Sequence, residues 1–162
     1  MQKIIPSLWF DTHAEAVVLF YTSIFTHTKI GSIVRYGDAA AKVAGMPKGS
    51  VMTIDFQLEG QDFLALNGGP IFQFTPAISF FVNCDDLHEI DTLWQKLSEG
   101  GVVMMALDKY PFSVRFGWVQ DKFGISWQLS LTPNLQKITP FLMFTGDQHF
   151  KEIGRASCRE RV

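Results

Sequence analysis

The stretch AISFFVNCDDLHEIDTLWQKLSEGG, residues 77–101, carries the pattern that decides the fold. Its apolar beginning predicts a buried strand. Asp85-Asp86, followed by Glu89, is typical of a helix N-terminus, and Gly100-Gly101 is typical of a helix end. Between them, apolar residues recur at helical spacing: Leu87, Ile90, Leu93, Trp94 and Leu97. The stretch therefore predicts a strand that leads directly into an amphipathic helix.

The same order of elements is predicted in the first half of the chain. Thr12 and Glu15 match a capping box, and a second helical apolar face follows: Ala14, Val17, Val18, Tyr21, Ile24 and Phe25. The predicted strands are residues 4–10, 29–36, 50–58, 61–66, 77–83, 101–105, 113–120 and 125–131. The Ala- and Gly-rich residues 37–49 are expected to form a mobile loop. Two copies of a strand–helix–strand–strand–strand unit, each about 70 residues long, indicate an internal duplication.

The composition indicates one compact domain whose ligand is a small molecule. The 162 residues are 47% hydrophobic and 19% charged, which excludes disorder and supplies enough apolar surface for a core. The formal charge is -2 and no basic run precedes residue 155. We therefore expect neither a nucleic-acid partner nor a membrane-surface partner, because both depend on clustered positive charge.

Cysteine content and hydropathy predict a cytoplasmic protein. Cys84 and Cys158 supply neither a disulfide framework nor metal-ligand spacing, which favours a reducing compartment. The N-terminal residues do not follow the pattern of a signal peptide. No apolar run approaches the roughly 18 residues that are needed to span a bilayer.

Two segments near the C-terminus differ from the duplicated units. QKITPFLMF at residues 136–144 repeats most of QKIIPSLWF at residues 2–10, so residues 136–153 are predicted to begin a second, truncated module of the same kind. The alternative is an unrelated terminal strand that pairs at a dimer edge. GRASCRERV at residues 154–162 has no apolar periodicity and is predicted to be a cloning or sequence-assembly scar, with a natural basic tail as the alternative.

Several motifs occur in an order that is more specific than any one of them. They are IIPSLWF at 4–10, FYTSIF at 20–25, LNGGP at 66–70, SFFV at 79–82 and GWVQDKFGISWQ at 117–128. With these motifs the sequence resembles the PhnB-like family, often labelled 3-demethylubiquinone-9 3-methyltransferase-like. This family is part of the vicinal oxygen chelate (glyoxalase/bleomycin-resistance/dioxygenase) superfamily. The resemblance covers residues 2–133, which we predict to form one domain.

The resemblance implies an α+β fold in which paired βαβββ modules form a cupped, mixed, mainly antiparallel sheet. The helices are then expected outside the cup and a ligand inside it. The family usually closes or extends its cups by pairing modules, and 14% aromatic residues supply an apolar interface. We therefore expect a homodimer.

Many members of the superfamily hold a divalent metal through four side chains, which this sequence does not supply. Carried over by position, these places are Pro6, Ala65 or its neighbour Asn67, Ala77 and Gln128, and only Gln128 offers an oxygen cleanly. The histidines also lack metal-ligand spacing: His13, His27, His88 and His149. We therefore expect no metal and no cofactor. The methyltransferase label gets no support either, because no Gly-x-Gly loop for a nucleotide is present.

The residues that remain for the cup are uncharged and polar, or aromatic. The predicted ligand-binding residues are Asn67, Ser79, Phe81, Trp118 and Gln128. Further candidates are Asn83, Leu8, Phe10 and Phe63, with Arg35 or Arg115 as an anion anchor. We expect Asn67 and Gln128 to line one cavity and to hydrogen-bond a neutral carbonyl or hydroxyl group. The alternative is that Asn67 only shapes its turn and Gln128 only satisfies backbone groups.

Two functions from different classes follow from this pattern. The first is a metal-free small-molecule binding protein of the superfamily. The alternative is a lyase, isomerase or dioxygenase that uses a divalent ion through a non-standard ligand set. The missing metal ligands favour the binding protein.

Overall fold

A computed structural model describes residues 4–133 and 135–144 of the chain. Its helices are α1 (Ala14–Ile24), α2 (Asp38–Ala44) and α3 (Leu87–Ser98). Its strands are β1 (Ser7–Phe10), β2 (Thr28–Arg35), β3 (Val51–Leu58), β4 (Gln61–Asn67), β5 (Ile78–Cys84), β6 (Val102–Tyr110), β7 (Ser113–Gln120), β8 (Ser126–Leu131) and β9 (Ile138–Leu142). None of the helices in these described ranges has the length and apolar character that crossing a membrane requires.

Two modules form two sheets with the same strand order. The first module contains β1 to β4 and its sheet runs β1-β4-β3-β2; the second contains β5 to β8 and its sheet runs β5-β8-β7-β6, with β9 beside β5. In each module the first strand pairs parallel with the fourth, and the other neighbours pair antiparallel. Neither sheet closes. The predicted α+β fold of paired βαβββ modules with mixed, mainly antiparallel sheets is confirmed.

The repeated motif near the C-terminus does not pair as its counterpart does. β1 pairs parallel with β4, with Ser7 opposite Leu64, whereas β9 pairs antiparallel with β5, with Ile138 opposite Val82. β9 therefore extends the second sheet within its own chain. That residues 136–153 begin a further module stays a prediction, because residues 145–162, which include the predicted scar, lie outside the described residues.

The two long helices begin in different ways. At α3 the predicted capping pair forms: Asp86 Oδ1 accepts from Glu89 N and Glu89 Oε2 accepts from Asp85 N, both at 2.8 Å. At α1 the predicted capping box is wrong, because His13 is the N-cap residue and its side chain makes no capping bond. The side-chain oxygen of Asn67 accepts from Ala14 N instead, at 2.9 Å, so a residue of β4 caps α1.

Two segments contain more regular structure than their sequences predict. The expected mobile loop at residues 37–49 contains α2, a short helix of three consecutive alanines and their neighbours that ends at Gly45, whose φ is 67°. β6 continues to Tyr110 rather than ending at residue 105, with irregular register against β7. Both differences lie in connections and edge strands, where hydrophobic periodicity is weakest.

One hydrophobic core joins the two modules. The helix-covered faces of both sheets contribute to it, and aromatic rings make a continuous path across the boundary. Phe63 of β4 contacts Phe80 of β5, which contacts Trp127 of β8, which contacts Tyr21 of α1, with centroid separations of 5.2 to 5.3 Å. The opposite faces of the sheets are not part of this core.

A buried carboxylate reinforces the contact between the modules. Asp121, in the turn between β7 and β8, accepts from Tyr21 Oη at 2.5 Å and from Trp127 Nε1 at 2.9 Å. It also accepts from the backbone N–H groups of Phe123 and Ile125. Burial raises the pKa of Asp121, and the hydrogen bonds donated to it oppose that rise.

Replacing Asp121 by Asn tests this link. Asparagine has one side-chain oxygen in place of two and turns an NH2 group toward donors. We expect Asp121→Asn to lower the free energy of unfolding in urea by about 2–3 kcal/mol. The control is Asp108→Asn, at an exposed position of β6, which should change it by less than about 0.5 kcal/mol. An Asp121→Asn loss as small as that of the control would contradict the role of the carboxylate.

Candidate functional site

The second sheet has one face covered by α3 and one face without a helix. A Cβ atom on Gly117 would lie 2.4 Å from Trp94 Cζ3, so Gly117 faces α3 and its neighbours Phe116 and Trp118 face the opposite way. The register between strands assigns further residues to that opposite side. We call it the open face; it comprises Ser79, Phe81, Asn83, Phe116, Trp118, Gln120, Ser126, Gln128 and Ser130.

The structure brings together on the open face four of the five predicted ligand-binding residues. Gln128 of β8 lies opposite Phe81 of β5 and opposite Trp118 of β7. Ser79 lies two residues before Phe81 on the same strand, and residues two apart share a face of a strand. Ligand binding by these four residues stays a prediction.

Hydrogen bonds orient the polar groups of the open face and leave part of their bonding capacity unused. Gln128 Nε2 donates to Ser79 Oγ at 2.8 Å, and Trp118 Nε1 donates to Ser126 Oγ at 2.7 Å. Among the described residues, nothing donates to Gln128 Oε1, and nothing accepts the hydroxyl hydrogen of Ser79 or Ser126. Ser79 and Ser126 are each only 1% exposed, so Gln128 Oε1 is the atom that remains for a ligand.

The unused oxygen of Gln128 reaches solvent, although the residue is only 7% exposed. In the described part of the chain, every side-chain nitrogen or oxygen atom that is sealed from solvent has a hydrogen-bond partner. An atom without a partner, such as Gln128 Oε1, must therefore be accessible. Phe81 and Trp118 are half-buried and border Gln128 on the two neighbouring strands, so the polar centre has an aromatic ring on each side.

The residues at the superfamily's metal positions do not fit a divalent ion. Pro6 and Ala77 have no ligand atoms, Ala65 is buried in the core, and Gln128 offers one neutral amide. Within the described ranges, no group of three or more His, Cys, Asp or Glu residues is placed to hold a metal ion. The donor set suits hydrogen bonding to a neutral group, and the absence of a metal stays a prediction.

Asn67 lies in the first module, away from the open face. Its Oδ1 accepts from Ala14 N, and its Nδ2 donates to Val51 O at 3.0 Å. It is 2% exposed, because the alternation of β4 points it toward α1. The expectation that Asn67 and Gln128 line one cavity is therefore wrong. The Asn67 amide satisfies backbone groups of the helix and of β3 instead.

The three apolar candidates of the first module also lie in the core: Leu8, Phe10 and Phe63. The two-residue period correctly placed Leu8 and Phe10 on one face of β1. The expectation that this face points into a cup rested on the family resemblance, and it is wrong because α1 covers that face.

The remaining candidates have partners outside the open face. Asn83 donates to Gln136 O at 2.7 Å and accepts from Thr132 Oγ1 at 2.6 Å. Arg35 donates to a backbone carbonyl at 3.1 Å, and Arg115 pairs with Asp91 of α3 at 2.6 Å. Neither arginine is placed to anchor an anion beside Gln128.

Removing the Asn67 amide should destabilise the fold. Asn67→Ala leaves Ala14 N and Val51 O without partners in the core. We expect the free energy of unfolding in urea to fall by about 2–3 kcal/mol. Gln95→Ala, at an exposed amide on α3, is the control and should change it by less than about 0.5 kcal/mol. Equal effects of the two substitutions would contradict the capping role of Asn67.

Two βαβββ modules whose second sheet presents a polar and aromatic face define a protein of the glyoxalase fold class. A glyoxalase family protein from Bacillus cereus has this fold: it is 14% identical, the match covers 81% of this chain and 93% of that chain, and the TM-score is 0.51.

The chain belongs to the 3-demethylubiquinone-9 3-methyltransferase family, the PhnB-like family, whose model matches residues 2–130. A putative 3-demethylubiquinone-9 3-methyltransferase, the PhnB protein from Bacillus cereus, is 42% identical over 81% of this chain and 100% of that chain, with a TM-score of 0.73. Protein PA1353 from Pseudomonas aeruginosa is 22% identical over 82% of this chain and 98% of that chain, with a TM-score of 0.67. No curated protein matches the sequence. The family predicted from the motifs is confirmed.

Proposed function

We propose that the chain is a cytoplasmic, homodimeric protein that binds a small molecule on the open face of its second sheet without a metal ion. One observation carries the proposal: the unused Oε1 atom of Gln128 lies on β8, between the strands that carry Phe81 and Trp118 opposite it. A few polar groups among aromatic side chains are the usual composition of small-molecule sites.

The chemistry of the open face favours a neutral, flat ligand. Gln128 Oε1 accepts from an N–H or O–H group of the ligand. None of the side chains on the open face of β5, β7 and β8 carries a charge at neutral pH, so a charged ligand beside Gln128 would lose hydration without compensation. Asp108 of the edge strand β6 lies opposite Phe116. The rings of Phe81 and Trp118 offer stacking contacts to a planar group.

A second copy of the chain is the proposed cover of the open face. Val102 and Phe141 are exposed apolar residues whose strand positions, opposite Gln120 and Ser79, share the side of the open face. Exposed apolar surface of this kind marks interaction sites on soluble proteins. Burying it against the same face of a second copy gives a two-fold symmetric contact and shields a ligand from water.

The binding proposal predicts a neutral ligand whose affinity depends on Gln128. Ligand-observed NMR with flat lactams, phenols and primary amides at about 1 mM should detect binding to the native protein. Gln128→Leu keeps the size of the side chain and removes its acceptor, so the best binder should weaken about tenfold. The matched control is Gln95→Leu, at an exposed glutamine of α3, which should bind as the native protein does. Equal affinity in both variants would contradict the site.

Metal analysis of protein that is purified without chelator distinguishes the proposed metal-free binding protein from a metal-dependent enzyme. We expect less than one divalent ion per chain, because the open face lacks a sufficient donor set. One tightly held ion per chain that is lost in Gln128→Ala would overturn the metal-free proposal. It would favour a lyase, isomerase or dioxygenase.

The dimer proposal is tested by sedimentation at tens of micromolar protein. We expect the native chain to sediment as a dimer and Val102→Glu to weaken the dimer at least tenfold, because a charge would be buried in the contact. Val43→Glu is the matched control: Val43 is also an exposed valine, but it lies on α2, and the dimer should persist. A native chain that sediments only as a monomer would refute the proposal.

A further inference from the structure

A cavity of about 370 Å³ lies between the two modules, at the end of β1. Its walls come from β1 and the residues after it, from the segment after β4, and from the turn between β7 and β8. Its volume is within the roughly 300–1,000 Å³ of typical small-molecule sites. Five aromatic residues and one acidic residue contribute to the lining: Trp9, Phe10, Phe72, Phe74, Phe123 and Asp11. We call it the aromatic cavity.

The glycines after Asn67 hold the Trp9 ring in the wall of the aromatic cavity. Trp9 Nε1 donates to Gly69 O at 2.8 Å, and the ring meets Phe72 edge to face at a centroid separation of 5.0 Å. A Cβ atom on Gly68 would lie 2.3 Å from Trp9 Cζ2, so a larger residue there would displace the ring. The Asn-Gly-Gly-Pro motif therefore positions an aromatic wall in addition to making a turn.

Asp11 and His13 are the titratable residues that line the aromatic cavity, and Asp11 supplies its negative charge. Within the described ranges the Asp11 carboxylate has no hydrogen-bond or ion-pair partner, and none of the lining residues is Lys or Arg. Lys122, which does not line the cavity, places its Nζ 5.3 Å from the centroid of Phe123. The same ammonium group lies closer to Phe20, at 4.3 Å, so Phe123 is already engaged by a cation outside the cavity, and the attraction for a ligand cation comes from the other rings and Asp11.

We propose that the aromatic cavity binds the ammonium group of a small organic cation, such as a quaternary or alkylated amine. Aromatic faces attract cations through their quadrupole, and desolvation inside a cavity strengthens that attraction. The unpaired Asp11 carboxylate adds a charge of opposite sign to the ligand. Gln128 does not line this cavity, so the site does not depend on the function proposed at the open face.

Choline and its neutral isostere 3,3-dimethylbutan-1-ol test the proposal directly. The two molecules have the same shape, and only choline carries a charge. By calorimetry or ligand-observed NMR on the full chain, we expect choline to bind at least tenfold more tightly.

Two substitutions assign the binding to the aromatic cavity. Asp11→Asn should weaken choline about fivefold, and Phe72→Leu, at a residue that is 63% exposed and therefore tolerant of change, should weaken it about threefold. Both should leave the isostere unchanged within about twofold. Asp38→Asn, which removes an exposed carboxylate from α2, is the matched control and should bind choline as the native chain does.

Each of the other results overturns the proposal. Equal affinity for choline and the isostere would show that the cavity selects shape and not charge. Absence of choline binding at about 10 mM would show that no useful cation site exists. Choline binding that is unchanged in both Asp11→Asn and Phe72→Leu would place the site elsewhere. None of these results bears on ligand binding at Gln128, so the two proposals fail independently.

Discussion

The carboxylate of Asp121 links the helix-covered sides of the two modules. Tyr21 reaches it from α1 in the first module, and Trp127 reaches it from β8 in the second. A buried charge costs several kcal/mol unless polar groups surround it, so these donors cannot separate without a large loss. The helix-covered faces are therefore held together in one core, and the open face of the second sheet points away from it.

Local sequence signals predicted those elements whose stabilising partners are neighbours in the chain. Asp86 and Glu89 lie within one helical turn of each other, and the capping pair they predicted at α3 forms. Thr12 and Glu15 have the same spacing, yet α1 is capped by Asn67, which is 53 residues away from its partner in sequence. A cap that is supplied by a residue far away in the sequence has no characteristic spacing in the sequence. The tertiary contact from Asn67 therefore replaced the local capping box that Thr12 and Glu15 predicted.

Strand alternation predicts which residues share a face, but it does not predict which face a helix covers. It grouped Ser79 with Phe81, and the structure keeps both on the open face beside Gln128. It grouped Leu8 with Phe10 equally well, but that face packs under α1 in the core. The aromatic cavity was missed because its walls come from distant parts of the chain. The one available signal was the glycine pair after Asn67, which permits a close approach as well as a turn.

β9 covers the outer edge of β5, a strand whose sequence, ISFFVNC, combines high β-propensity with an absence of charge. Lys137, just before β9, forms ion pairs with Asp85 and Glu89 at the start of α3 and so fastens the added strand to the helix. An uncovered β5 would offer a row of free backbone N–H and C=O groups, which is the template on which strands of other chains assemble. β9 thus protects the edge of β5 from aggregation. A chain that is cut before β9 would keep both modules but would expose the edge of β5 to fibril-like association.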